Sequence, residues 1–200
     1  MKLYCATTNP GKLREFRLAA GAHGLEVEPL PGLNSIPPPK ESGRTFEENA
    51  VLKAVYYSRF TPGLLFADDS GLEVDALGGE PGVHSARYAG ENASGQDNNR
   101  LLVEKLKAAE NRAARFVCVI AVAEAGRCRG TFRGSVEGRI VDAPRGPNGF
   151  GYDPLFFHEP FGCTFGEATA EQKMDVSHRG KALRAMLEDC ERARAGGLVR

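Results

Sequence analysis

The 200-residue sequence has no run of 18 apolar residues, so it offers no membrane span. Met1 to Pro10 hold no long apolar stretch, which argues against a signal peptide and points to the cytoplasm. The chain carries no net charge, with 26 Lys and Arg against 26 Asp and Glu. A general nucleic-acid or membrane binder held by a broad basic field is therefore disfavoured, although a local basic pocket is not. The five cysteines, Cys5, Cys118, Cys128, Cys163 and Cys190, are odd in number, widely spaced and form no C-x-x-C. That excludes a zinc knuckle and a redox dithiol and fits reduced thiols. There is no internal repeat, no low-complexity tract and no Walker A pattern.

The composition, 42% hydrophobic and 26% charged, is that of a globular protein. The length suits one domain over residues 1–200, or two small lobes around one sheet. Gly 24 and Pro 12 mean many specified turns, because the apolar runs between them are strong.

Lys2 to Ala6 reads as a strand, and Asn9 as the N-cap of a helix with Pro10 at its first position. Leu13, Phe16 and Ala20 give that helix its apolar face, and Gly21 or Gly24 ends it. Pro29 to Gly43 is a loop. Thr45 and Glu48 form a capping box for a second helix to about Ser58. Leu64 to Ala67 is a strand ending in Asp68-Asp69-Ser70-Gly71, and Ser94 with Asp97 caps a third helix. Phe116 to Ala123 reads as a buried strand. Cys128 to Phe132, Val136 to Val141 and Pro154 to Phe157 follow as further strands, and Ser177 caps a final helix. The predicted class is α/β with a mixed sheet.

Four features are poorly explained as structure alone. Lys12 stands near the positive end of the first helix dipole, after Thr7, Thr8 and Asn9. A cation there costs up to about 1 kcal/mol. Free amides plus one cation at a helix start form an anion site suited to phosphate. His178, Arg179 and Lys181 repeat the pattern at the last helix, with Lys173 upstream. Asp68 and Asp69 close a strand, and alternation lets only one face a given cleft, the other bonding local backbone amides. A carboxylate there is a candidate Mg²⁺ ligand, with Glu41 and Glu73 as possible companions. Glycines flank Phe150 in Gly149-Phe150-Gly151-Tyr152-Asp153-Pro154, which suits a stacking face, while Tyr152 also reads as a core plug. Lys53 follows Asn49 by one turn on the second helix. Each feature also has a purely structural reading, as a solvated charge or a turn. Together they fit one ligand, a nucleotide with Mg²⁺.

The segments Thr7-Thr8-Asn9-Pro10-Gly11-Lys12, Thr45-Phe46-Glu47-Glu48-Asn49-Ala50 with Lys53, Ala67-Asp68-Asp69-Ser70-Gly71-Leu72 and Gly78 to Tyr88 resemble the inosine triphosphate pyrophosphatase family. Gly149 to Pro154 and Ser177-His178-Arg179-Gly180-Lys181-Ala182 match the same family in the same order, so the likeness runs from about residue 3 to 190. Departures are minor: Thr8 stands where many members carry Gly, and Met174 where a small polar residue is frequent. The resemblance implies hydrolysis of non-standard purine nucleoside triphosphates (ITP, dITP, XTP) to monophosphate and pyrophosphate. It implies an elongated mixed sheet flanked by helices, with two lobes and the active site in the cleft between them. Thr7, Thr8, Asn9, Pro10, Gly11 and Lys12 would hold the triphosphate, with Lys53 assisting. Asp69 would be the catalytic carboxylate and, with Glu41, a Mg²⁺ ligand. Ser70 would touch substrate, and Phe150, Gly151, Tyr152, Asp153, Lys173, His178 and Arg179 would form the base pocket. Members are typically homodimers.

Hypoxanthine and xanthine present a 6-oxo acceptor where adenine presents an amino donor. A protein donor there would refuse adenine by about 1–3 kcal/mol. Two rivals remain: a pyrophosphatase for modified pyrimidines or methylated guanines, and a non-catalytic nucleotide-binding module. A nucleotide panel separates the first and a pyrophosphate assay the second. Because a cation at a helix start is poorly placed without an anion, Arg179→Ala is expected to leave the empty protein's melting temperature unchanged or slightly raised.

Overall fold

The computed structural model describes residues 2–21 and 23–196. Strand β1 (Lys2–Cys5) leads through helix α1 (Pro10–Gly21) to β2 (Glu26–Pro29), and α2 (Phe46–Tyr57) precedes β3 (Leu65–Val74). After α3 (Gly95–Lys105) come β4 (Ala113–Glu124), β5 (Arg127–Ile140), β6 (Phe156–His158) and β7 (Cys163–Thr164). Helices α4 (Ala170–Val176) and α5 (His178–Gly196) close the described chain. The seven strands form one sheet in the order β2-β1-β3-β4-β5-β6-β7. β1 pairs parallel with β2 and β3, while β6 pairs antiparallel with β5 and β7. The predicted α/β class with a mixed sheet is the observed one. No described helix is long and apolar enough to cross a membrane.

The helix starts follow from side-chain chemistry. Asn9 Oδ1 accepts from the amides of Gly11 and Lys12 at 2.9 and 3.1 Å. It takes up donors that α1 would otherwise leave open. Thr45 Oγ1 accepts from Glu48 N at 3.1 Å, but Glu48 turns its carboxylate to Arg44 N instead of closing the box. The Ser94–Asp97 box is complete. A second complete box, Thr169 with Gln172, starts α4, a helix absent from the sequence-based assignment. Ser177 stands extended between α4 and α5, as a capping residue does.

Two predicted strands, Cys128 to Phe132 and Val136 to Val141, are one 14-residue strand, β5. Gly134, which lies between the two predicted stretches, is a point of close approach. A Cβ there would collide with His178 O and lie 2.5 Å from Ala182 N, so only glycine lets α5 settle against β5. Ala125 and Gly126, both at positive φ, make the two-residue turn from β4 to β5. The short β2 and two-residue β7 are too brief for alternation to reveal them.

The chain divides into two compact units. The first comprises Met1–Asp69, Cys118–Gly134 and His178–Arg200, and the second Ser70–Val117 and Ser135–Ser177. The boundaries fall inside β3, β4 and β5. In the first unit Phe16 of α1 meets Phe66 of β3 edge-on at 5.2 Å, and α1 also packs against α5. The second is built around Phe116, Phe156 and Phe165, with Leu72, Leu102, Leu106 and Ile140 fully buried beside them.

Gly134→Ala should lower stability by about 1–3 kcal/mol, because the obstructing atoms are backbone and cannot turn aside. Thermal melts by circular dichroism would show it as a melting temperature several degrees below wild type.

Candidate active site

Asp68 and Asp69 are consecutive on β3 and so point to opposite faces. Strand β3 does not end with them but continues to Val74. Both are buried, 3% and 7% exposed, and each meets a lysine from a different helix. Lys12 Nζ of α1 lies 2.8 Å from Asp68 Oδ2, and Lys53 Nζ of α2 lies 2.8 Å from Asp69 Oδ1. The sequence suggests that the aspartate turned away from the ligand bonds local amides. Asp68 takes an ammonium instead, because a carboxylate this deep needs a counter-charge.

The two environments drive the neighbours apart. Burial pushes Asp68 up, but the cations of Lys12, Arg179 and Lys53 outweigh it and hold its carboxyl below the ordinary value. Burial also pushes Asp69 up, and there Lys53 and Lys12 do not fully offset it, so Asp69 ends above the ordinary value. Burial works against the Lys53 ammonium, but Asp69, Asp68 and Glu41 overcome it and raise its pKa. One carboxylate is thus fixed as an anion and the other is made more basic, the pattern that separates a structural charge from a proton acceptor. Cys118 Sγ sits 4.0 Å from Asp68 Oδ2, and burial first, then that anion, keep it a thiol.

Asn49, which the sequence marks only by its position beside Lys53, is 2% exposed and reaches Asp69 directly. Its Nδ2 donates to Asp69 Oδ2 at 3.3 Å, and its Oδ1 accepts from Gly43 N at 2.8 Å. Glu41 Oε1 lies 3.3 Å from Lys53 Nζ. Asp69 and Glu41 therefore converge on one ammonium. Among the described residues no group of three or more His, Cys, Asp or Glu gathers as a metal cage. Two convergent carboxylates fit a hard cation that draws its remaining ligands from phosphate and water, as Mg²⁺ does.

In the Thr7–Lys12 segment Thr7 Oγ1 accepts from Asn9 N at 3.2 Å. Thr8, Asn9 and Pro10 are exposed and Gly11 is buried. Asn9 has taken the Gly11 and Lys12 amides, so the pull on an anion rests less on free amides than the sequence suggests. Arg179 brings a larger correction. Its Nη1 donates to Glu15 Oε2 of α1 at 2.8 Å, and both side chains are buried. Burial opposes the guanidinium charge, but Glu15 and Asp68 raise its pKa. The cation at the start of α5 already has a partner in the empty protein. Glu15 was legible in principle: it lies four residues before Ala19 on the buried side of α1, where a charge needs a mate. His178 beside Arg179 is 1% exposed.

The second unit gathers the remaining predicted residues. Phe150 N donates to Asp153 Oδ2 at 2.8 Å, and Lys173 Nζ reaches the same oxygen at 2.6 Å. The ammonium stands 5.1 Å from the Phe150 ring centroid. Gly151 is exposed and Phe150 half-buried. Tyr152 is buried with its hydroxyl on Ser85 O at 2.9 Å, which is the core-plug reading. Ser70 is half-buried on β3. Thus Thr7 to Lys12, Glu41, Lys53, Asp69, His178 and Arg179 lie in the first unit, and Ser70, Phe150 to Asp153 and Lys173 in the second.

The family model described as Ham1 family matches residues 3–189. A dITP/XTP pyrophosphatase of Acidobacterium capsulatum is 48% identical over 196 residues, 94% of this chain and 97% of that protein. One from Thermus thermophilus is 50% identical over 190 residues, 94% and 91% of the two chains. Among solved structures, the Staphylococcus aureus Ham1 protein superposes with a TM-score of 0.84 at 39% identity, covering 96% of this chain and 98% of that one. A HAM1 protein from Coxiella burnetii gives 0.85 at 37%, covering 96% and 99%.

The Glu15–Arg179 pair reverses the expected effect of Arg179→Ala. Removing the guanidinium from beside the buried Glu15 carboxylate should cost about 3 kcal/mol, seen as a clear fall in melting temperature of the ligand-free protein. Asp68→Asn should also destabilise at pH 7. A carboxyl held below its ordinary value contributes stability that is present above that value and lost as pH falls through the folded one. The gap between wild type and Asp68→Asn in melts should therefore be full at about pH 5–7 and shrink below about pH 4.

Proposed function

The chain belongs to the Ham1 family, and from that membership we propose that it hydrolyses dITP, XTP and ITP to the monophosphate and pyrophosphate. The observation that carries the reading is the pair of buried neighbours on opposite faces of β3, each 2.8 Å from its own lysine, with Glu41 beside the Lys53–Asp69 pair. The names of the two pyrophosphatases at 48% and 50% identity support the same substrate class.

Phosphoanhydride cleavage needs charge neutralisation and in-line positioning more than covalent help. Lys12, Lys53 and the start of α1 neutralise and hold the phosphates. Asp68 keeps Lys12 in place. Asp69 orients a water against the α-phosphorus and takes its proton as the new P–O bond forms. The bond to the bridging oxygen breaks, and pyrophosphate leaves with the electron pair. Mg²⁺, when held by Asp69 and Glu41, would supply further neutralisation of the phosphate oxygens. Phe150 stacks on the base, Asp153 and Lys173 fix that loop, and Ser70 lies beside the substrate. His178, Arg179 or the amides around Phe150 donate to the 6-oxo group, which adenine lacks. The active form in this reading is a cytoplasmic homodimer of one two-lobed domain per chain.

Pyrophosphate release across dITP, XTP, ITP, ATP, dTTP and dUTP tests the reading. The three 6-oxopurines should lead ATP by roughly the 5- to 150-fold of one polar mismatch, and Asp69→Asn or excess chelator should silence turnover. Preference for dTTP or dUTP would favour the pyrimidine rival. Release that survives Asp69→Asn would remove Asp69 from catalysis.

A further inference from the structure

Helix α3 carries two adjacent buried asparagines with opposite hydrogen-bond balances. Asn98 uses both ends of its amide, accepting from Ala89 N at 2.8 Å and donating to Ala86 O at 3.2 Å. Asn99 uses only one. Its Nδ2 donates to Gly151 O at 3.0 Å, while its Oδ1 is buried with no partner among the described residues. The residue is 8% exposed. A buried acceptor left unmet costs stability, and a leucine, branched at the same carbon, would carry no such acceptor. Folding alone therefore favours an apolar residue at position 99. What the asparagine supplies is a single donor, aimed at the loop that bears Phe150.

That donor completes a bracket. On one side of the Phe150 ring, the Phe150 amide is tied to Asp153 Oδ2 at 2.8 Å. On the other, the next residue's carbonyl is tied to Asn99. Gly149 and Gly151 adopt positive φ, which leaves the loop easy to bend without such ties. At Gly149 a Cβ would collide with Asp153 Oδ2, so the inner tie also requires glycine there.

We propose that Asn99 is the positioning residue of the Phe150 loop, setting the ring for the base through Gly151 O. The proposal rests on the reading that Phe150 stacks on the base, and its consequence for the loop itself does not. It separates Asn99 from an ordinary structural residue: removing the amide relieves an unmet acceptor and frees the carbonyl of an exposed residue, yet loosens the ring.

The test compares wild type with Asn99→Leu and Asn99→Asp by dITP kinetics, thermal melts and amide hydrogen exchange of residues 149–153. Asn99→Leu should raise KM about tenfold, the scale of one lost polar tie, with kcat changed far less and the melting temperature not lowered. Exchange in 149–153 should quicken. Asn99→Asp should behave like the leucine variant near neutral pH, where a carboxylate cannot donate to Gly151 O. On acidification its carboxyl regains a proton to donate, and its KM should return toward wild type while that of Asn99→Leu does not. Unchanged KM and exchange in both variants would overturn the proposal, as would a fall in melting temperature with kcat and KM lost together. A leucine variant that fails to fold overturns the stability argument, and the aspartate variant then decides the tie. Wild type without purine triphosphate turnover would refute the function, while faster exchange in the variants would still support the tie.

Discussion

Two carboxylates lie side by side on a buried strand, and both are withdrawn from bulk water. Strand alternation sends Asp68 and Asp69 to opposite faces, so no single cation can serve both at close range. Each draws its own lysine, Lys12 from α1 and Lys53 from α2, at the same 2.8 Å. That requirement fixes much of the first unit. The start of α1 must come to β3 on one face, and the exposed Thr8, Asn9 and Pro10 come with it. The middle of α2 must reach the other face, bringing Asn49 and, through Lys53, Glu41. The charges then extend inward, since Arg179 lies within the field of Asp68 and is itself held by Glu15.

The second unit repeats the device with one carboxylate. Asp153 Oδ2 accepts from the Phe150 amide and from Lys173, so one buried oxygen sets a backbone and a cation together. Lys173 stands over two rings, Phe150 and Phe165, one half-buried and one in the core. A loop with so much glycine keeps a defined shape because it is pinned at its amides and carbonyls. Its own φ/ψ preferences would not hold it. Tyr152 adds a pin through Ser85, whose hydroxyl in turn accepts from Leu72 N on β3.

The readable parts of the fold are those in which neighbouring residues settle the outcome. Asn9, Thr45 and the Ser94–Asp97 box start helices because a short polar side chain reaches an amide two or three residues on, and such contacts do not depend on the rest of the chain. The sequence misleads where a residue has both a local and a distant use. Cys128 to Phe132 and Val136 to Val141 read as two strands, and Gly134 between them serves as a gap for α5. Ser70-Gly71 reads as a turn and continues β3. Glu48 reads as half of a capping box and turns to Arg44. Helix α4 escapes notice because it is short and Ser177, just beyond it, is the more conspicuous cap.

The site divides along the same line. Residue types and spacing marked Lys12, Asp68, Asp69 and Phe150 as unusual where the pattern places them, and the resemblance added the expected roles of Lys53 and Lys173. The resemblance of six ordered segments fixed the family for the same reason. Only the tertiary structure decided which charge meets which. Glu15 and Arg179 are 164 residues apart in sequence, and their contact turns a misplaced cation into half of a buried pair. The difference between Asp68 and Asp69 is likewise absent from the sequence, where they are identical neighbours. It arises from the balance of burial against the cations that the fold brings to each face.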